Sequence, residues 1–444
     1  MVPCMAAMNP PYAPPAQATS ANERRLGPGL ITGAADDDPS GIATYSQAGA
    51  QFGFSMLWTA ALTLPLMAGI QLISARLGYV TGRGLAANIK LAFPRSVLLG
   101  IVGLLLLANT FNIAADVAAM GQALQLLLGG SAQVYSITFG LLCLVLEVFL
   151  RYATYVRYLR WLTLALLSYV AVVFTIDVPW GAVLRELVLP RLAFTHDTIL
   201  IVVAVFGTTI SPYLFFWQAA GEMEDRRTAA AGLAGNAADP APTASAPPPF
   251  GADARTQLRR IRWDTYVGMG FSNLIAFFII LSTAATLHAA GLTQIQTSAQ
   301  AAEALRPLAG PLTFLLFSLG IIGTGLLAVP VLAGSAAYAV TETFNWREGL
   351  DLKLGEAPMF YGLIALATVG GVLLGFTRID PIRALLWSAV INGVIAVPIM
   401  VVMMRLATNA AIMGSYLIRR RLRSLGWLAT AVMALTVVAM LATL

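Results

Sequence analysis

The sequence predicts an all-α polytopic membrane protein with eleven transmembrane helices, arranged as two five-helix units of opposite orientation plus one extra helix. Three observations carry this. Of 444 residues, 58% are hydrophobic and only 11% charged, with a mean hydropathy of +0.77, whereas a soluble domain carries about 25% charged residues. The basic residues gather on one side of the predicted spans. Two apolar segments that lie five spans apart are each interrupted by a polar, proline-containing motif.

At about 20 apolar residues per span, the elements run as follows. Span one (29–50) follows Arg24 and Arg25 and is broken at Gly33-Ala34-Ala35-Asp36-Asp37-Asp38-Pro39-Ser40-Gly41. Span two (55–76) ends at Arg76, and Arg83, Lys90 and Arg95 fill the next connection. Span three (97–128) carries Asn109, Asn112 and Asp116, and span four (133–150) contains Cys143. Arg151, Arg157 and Arg160 mark the entry to span five (155–176). Span six (197–218) is the second broken segment, and Arg226, Arg227, Arg255, Arg259, Arg260 and Arg262 separate it from span seven (263–288). Span eight (311–340) leads to Arg347 and Lys353, and span nine (358–376) precedes span ten (383–405). Arg405, Arg419, Arg420, Arg421 and Arg423 stand before span eleven (425–443).

With the N-terminus cytoplasmic and the C-terminus outside, 22 of the 27 basic residues face the cytoplasm. Only Arg185, Arg191, Arg306, Arg378 and Arg383 lie outside, the asymmetry that the positive-inside rule requires. The net charge of +6 therefore reflects topology, and nucleic acid is not an expected partner; the lipid bilayer and a small ion or solute are. Residues 1–22 are rich in Pro and Ala and lack the pattern of a signal peptide, so they are expected to be a disordered tail. The remainder, 23–444, is expected to be one transporter domain: repeat one at 29–176, repeat two at 197–405 and the extra helix at 425–443. Residues 228–254, with Asp239-Pro240-Ala241-Pro242 and Pro247-Pro248-Pro249, read as a flexible cytoplasmic linker inside it. Two cysteines, Cys4 and Cys143, form no disulfide framework.

Ionised groups at bilayer depth cost roughly 2.5–3.5 kcal/mol each on insertion scales and mark ion or substrate paths. A broken helix is tolerated there only where it is buried in protein or lines a wet cavity. Span one combines both features through Asp36, Asp37 and Asp38 with the breakers Pro39 and Ser40. The second break, Gly207-Thr208-Thr209-Ile210-Ser211-Pro212-Tyr213, has its breaker at Pro212. Five is odd, so the second unit enters with opposite topology. Paired interruptions at matching positions point to an inverted-repeat transporter with a midplane site; two unrelated proline kinks are the plainer alternative.

These residues resemble the Nramp family of proton-coupled divalent-metal transporters. The resemblance is carried by Leu26-Gly27-Pro28-Gly29-Leu30, Asp38-Pro39-Ser40-Gly41 and Gln47-Ala48-Gly49-Ala50. It continues in Ala75-Arg76-Leu77-Gly78-Tyr79-Val80-Thr81-Gly82, its most specific piece, and in Ala115-Asp116-Val117-Ala118-Ala119-Met120-Gly121. It implies a LeuT-type fold, a transporter and not an enzyme, and a bacterial-type protein of the inner (plasma) membrane. It also implies a metal site on Asp38 and the Thr208 carbonyl, and a proton path through Asp116 and Tyr213. The chain departs from the family at four positions. Gly41 replaces a ligand Asn, Ser211 a ligand Met, Tyr213 a His, and Ala119 a second acid.

A thioether favours soft ions, so Ser211 leaves a hard, oxygen-only site, and Gly41 opens volume beside Asp38. Asp37 is a candidate second carboxylate. Such a site suits a partly hydrated Mg²⁺ or Mn²⁺, carried as substrate; Mg²⁺ in particular keeps several waters. No cofactor is expected. The competing role for Asp38 is structural, satisfying the amides freed by the break, and for Asp116 it is hydrogen bonding. His196 and His288 sit near outer loop ends, too far apart in sequence to suggest a metal site. Phe215-Phe216-Trp217 reads as lipid and packing contacts, and Asn109, Asn112, Gln218 and Asn273 as helix-bridging groups. Thr324 and Ser335 are weaker candidates to face the first break. An alternative cargo is a small organic cation or zwitterion held by Asp38, with Tyr213 and Trp217 offering ring faces. A sensor or scaffold is a third class, supported only by the altered metal motif. No nucleophile–base set, P-loop or zinc motif is present.

Overall fold

The computed structural model describes residues 27–149, 164–189, 194–234, 254–350, 352–375 and 380–443, and every regular element among them is helical. The tail 1–22, residues 155–163 of span five and residues 235–253 of the expected linker lie outside the described residues. The first residues of that linker, through Ala234, continue a helix.

Span one is two helices, α1 (Pro28–Asp36) and α2 (Pro39–Phe52). α3 (Leu57–Thr81), the short α4 (Leu85–Ala92), α5 (Arg95–Leu128) and α6 (Ala132–Phe149) follow. α7 (Leu167–Val172) ends the first unit, and α8 (Trp180–Val188) lies in the connection to the second. The second unit holds α9 (His196–Thr209), α10 (Pro212–Ala234), α11 (Ala254–Thr283), α12 (Thr313–Phe344), α13 (Pro358–Leu374) and α14 (Pro381–Ala407). α15 (Arg420–Ala442) is the extra helix, packed against α3, α9 and α14. Among the described residues eight helical runs are long and apolar enough to cross a membrane, with α2 and α3 forming one continuous run. α13 is a shorter apolar helix at span nine.

The two breaks share one backbone solution. Asp37 leaves α1 at φ −82°, ψ 53°, and Ile210 leaves α9 at φ −114°, ψ 61°. Two residues later, proline opens the next helix, at Pro39 and at Pro212. Proline fits a first helical turn, where its missing amide has no partner to lose, but cannot continue the helix before it.

Packing brings the broken helices to the centre. α1 lies against α11 so closely that a methyl group on Gly33 would stand 2.3 Å from the Gly268 carbonyl oxygen. One on Gly268 would stand 2.3 Å from Gly29 O, so small residues set this crossing. α3 fastens α10 just past its break, with Gln71 Nε2 donating to Leu214 O at 2.8 Å and Ser74 Oγ to Phe215 O at 2.5 Å. The leucines at 128, 141, 435 and 441 are exposed, as suits helix faces solvated by lipid.

Candidate cation site

At the first break, Asp38 is the N-cap of α2: its Oδ1 accepts the Gly41 amide at 2.6 Å. Its Oδ2 lies 3.5 Å from the Tyr213 hydroxyl, which donates to Ala35 O at 3.2 Å. Tyr213, one residue past Pro212, thus links the second break to the first. Tyr45 of α2 makes a parallel link, its hydroxyl 2.9 Å from Thr209 Oγ1. Gly41 faces the space between the breaks. A methyl group there would stand 3.4 Å from Asp38 Oδ1 and 3.3 Å from Thr208 Oγ1.

Ser211 spends its hydroxyl proton locally. Its Oγ reaches Gly207 O at 3.0 Å and Thr208 O at 2.8 Å, satisfying carbonyls that the break leaves free. The Thr208 carbonyl therefore already accepts one bond and retains its second lone pair. Asp36 and Asp37 share a donor that sequence reasoning missed, Ser272 of α11, whose Oγ lies 2.5 Å from Asp36 Oδ2 and 3.0 Å from Asp37 Oδ1. Asp36 Oδ1 has no partner. Asp116, on α5, is fully buried with both carboxyl oxygens unpartnered. The Ser40 amide is near it but short of hydrogen-bond geometry. Ser40's own hydroxyl turns away and donates to Leu385 O of α14 at 3.0 Å.

Removing the shared donor makes a clear test. Ser272→Ala leaves two adjacent buried carboxyls without their hydroxyl, a loss of roughly 1–3 kcal/mol. It is expected to lower the thermal melting midpoint by several degrees, and Ser272→Thr should restore it.

The other candidates resolve by position. Asn109 Nδ2 donates to Leu332 O and Ser335 Oγ, both at 2.8 Å, so Ser335 is a bridge to α5 and does not face the first break. Asn112 donates to Asn392 at 3.0 Å, Gln218 to Thr265 at 2.9 Å, and Asn273 to Ala60 O at 2.8 Å. Thr324 makes one long bond to Ile321 O, while the neighbouring Gly325 lies against Pro39. Phe215, Phe216 and Trp217 are buried, so they pack within the protein and not against lipid. Trp217 sits edge-on to Tyr338 and over Gly334. His288 holds the end of α2 through Ala50 O at 2.8 Å, and His196 meets Thr443 at 3.3 Å. Among the described residues no three His, Cys, Asp or Glu side chains converge as a preformed metal cluster.

A second polar layer, also missed, ties α10 to α11 and α12, α11 to α1, and α12 to α4. Arg260 pairs with Glu222 at 3.3 Å and Asp225 at 3.2 Å, and Asp264 accepts the Gly29 amide at 2.8 Å. Tyr338 donates to Glu224 at 2.5 Å, and Glu342 accepts the Ala87 amide at 2.9 Å. Only the surplus of acids and bases after span six hinted at this. Glu348, in the loop after α12, faces Arg227 at 3.9 Å and accepts from Thr341 at 3.0 Å. Burial pushes its carboxyl from 4.5 up to about 7, against the opposing pull of Arg227. The folded protein therefore holds this proton more tightly than the unfolded chain, and the stability it adds falls as pH rises from about 4.5 through 7. Glu348→Gln is expected to flatten that part of a melting-midpoint-versus-pH curve.

Two interrupted helices from successive units, meeting beside Asp36, Asp37, Asp38 and Asp116 in an apolar bundle, define a broken-helix, inverted-repeat membrane transporter. Residues 29–443 match the profile of natural resistance-associated macrophage protein-like (Nramp) proteins. The chain belongs to the Nramp family, whose members are transporters and not enzymes. It is 28% identical to the divalent metal cation transporter MntH of Verminephrobacter eiseniae, over 81% of this chain and 80% of that one. It is 25% identical to MntH of Klebsiella pneumoniae over 92% and 91%. Among solved structures, a mutant of the Eremococcus coleocola manganese transporter superposes with a TM-score of 0.70 at 17% identity, over 93% of this chain and 85% of that chain. Inward-facing Mhp1 gives 0.51 at 15% identity, over 94% and 90%. The fold is LeuT-type.

Proposed function

We propose that the protein is a secondary transporter importing a divalent cation, Mg²⁺ or Mn²⁺, by alternating access through the space between the two breaks. One observation carries the reading. Asp36, Asp37, Asp38 and Asp116 are buried at or beside the breaks, and among the described residues none is paired with a lysine or arginine. Buried charge needs a compensating partner, and a divalent cation supplies one only while it is bound. Asp38 is the main ligand, the Ser211 oxygen and the free lone pair of the Thr208 carbonyl complete the set, and Asp37 assists. Gly41 leaves room for a retained water, as a hard cation prefers. The manganese and divalent-metal transport named for its relatives supports the class of cargo. Asp116, with Tyr213 between the breaks, is the group placed to carry a coupled proton. The charge asymmetry supports a cytoplasmic N-terminus, and the bacterial sources of the relatives support an inner-membrane location.

Uptake of Mn²⁺ and of Mg²⁺ into proteoliposomes, each with and without an inward proton gradient, tests this. Saturable flux of either ion is expected, and absence of both refutes the reading. An organic cation is disfavoured by Trp217, whose ring is committed to Tyr338. Amines should accordingly fail to compete with the metal.

A further inference from the structure

On the face that carries most of the basic residues, α4 turns into α5 beside the end of α12. A cleft of about 370 Å³ opens there, lined by Lys90, Phe93, Arg95, Leu98, Thr343 and Phe344. Its chemistry has two parts. Lys90 and Arg95 are exposed cations. Lys90 uses one of its three donors on Thr343 O at 2.8 Å, and among the described residues neither cation pairs with a carboxylate. Glu342, next to Thr343 in the chain, is buried and holds the Ala87 amide. Arg95 also opens the 34-residue α5, whose N-cap is Pro94 with no side-chain cap, and uncapped helix amides favour phosphate. The second part is apolar. Leu91 is 59% exposed, and Phe344, 46% exposed, stacks at 5.1 Å on Trp346, an aromatic pair of the kind found at the membrane–water interface.

We propose that this cleft binds the phosphodiester headgroup of an anionic phospholipid from the cytoplasmic leaflet. The phosphate sits between Lys90 and Arg95 at the start of α5, and the acyl chains descend along Leu91, Leu98 and Phe344. A free phosphate would use the two cations but leave the adjoining apolar wall uncovered, which is why a lipid is the occupant. Basic pockets between helices on the cytoplasmic side are suited to such headgroups, at about 1 kcal/mol per cation.

Native mass spectrometry of the full chain, released from micelles containing phosphatidylglycerol or phosphatidylcholine, tests the assignment. Wild type is expected to retain one phosphatidylglycerol more than K90Q/R95Q, whose affinity should be roughly thirtyfold weaker. The charge-matched control R420Q/R423Q, altered on the exposed start of α15, should bind like wild type. Equal loss in both double variants, or in neither, overturns the site. Equal retention of phosphatidylcholine overturns the charge requirement, and displacement of the lipid by millimolar inorganic phosphate overturns the lipid assignment. Should K90Q/R95Q melt early, Arg95→Gln alone carries the test, since that side chain is exposed. The readout counts lipids, so it stands whatever the transporter carries.

Discussion

Asp38→Ala is expected to abolish metal uptake into proteoliposomes, a loss of at least about a hundredfold. Two contributions combine in that loss, and a second substitution separates them. Asp38 accepts the Gly41 amide at 2.6 Å as the N-cap of α2, and it presents its other oxygen beside Tyr213. Losing a cap costs about 1 kcal/mol, too little to remove transport by itself. Losing the carboxylate removes the principal charge that would hold a divalent ion. Asp38→Asn keeps an effective cap while discarding the charge, since asparagine caps helices as well as aspartate does. It should therefore melt close to wild type yet carry no metal. Wild-type transport by Asp38→Asn would show that the carboxylate serves only the broken backbone, and the proposed site would fall.

Ser211→Met is expected to raise the ratio of Cd²⁺ to Mg²⁺ uptake tenfold or more, about 1.4 kcal/mol of changed preference. A thioether is a soft ligand, and the present oxygens are hard ones. The exchange also removes the two bonds from Ser211 to Gly207 O and Thr208 O. Those carbonyls gain a free lone pair, so the site receives a sulfur and a less encumbered oxygen together. The substitution should lower the melting midpoint, because each lost hydrogen bond is worth about 1 kcal/mol. A selectivity ratio that stays fixed while the protein remains folded would mean that position 211 does not face the cargo.

The breaks were legible in the sequence because proline and clustered acids inside an apolar run violate two strong rules at once. Span one accordingly proved to be α1 and α2, separated at Asp37 and Asp38. Partner identity was less legible. Ser272 is a small polar residue in an apolar helix, and nothing in its own segment shows that it faces Asp36 and Asp37. That depends on the rotation of α11 about its axis, which is set by packing on α1. Ser335 shows the same dependence in reverse, since α12 turns it toward Asn109 and away from the break. Phe215, Phe216 and Trp217 read as lipid and packing contacts, but all three are buried because α3 and α12 cover α10 where it leaves the break. The second polar layer was hidden for another reason. Glu222, Asp264 and Glu342 come from three different helices, and only the fold brings each to its partner.

The close crossing of α1 over α11 has an effect that a survey of tolerated substitutions would reveal. Gly33 and Gly268 meet backbone to backbone, so a side chain of any size on either one collides with main chain, which has no rotamer to yield. Neither residue offers a cargo any ligand atom beyond its backbone. In a saturation scan scored by growth on limiting metal, both should nevertheless reject replacement as firmly as Asp38 does. Intolerance at these positions would record clearance between two chains, and a ranking by mutational sensitivity alone would misassign them to the transport site.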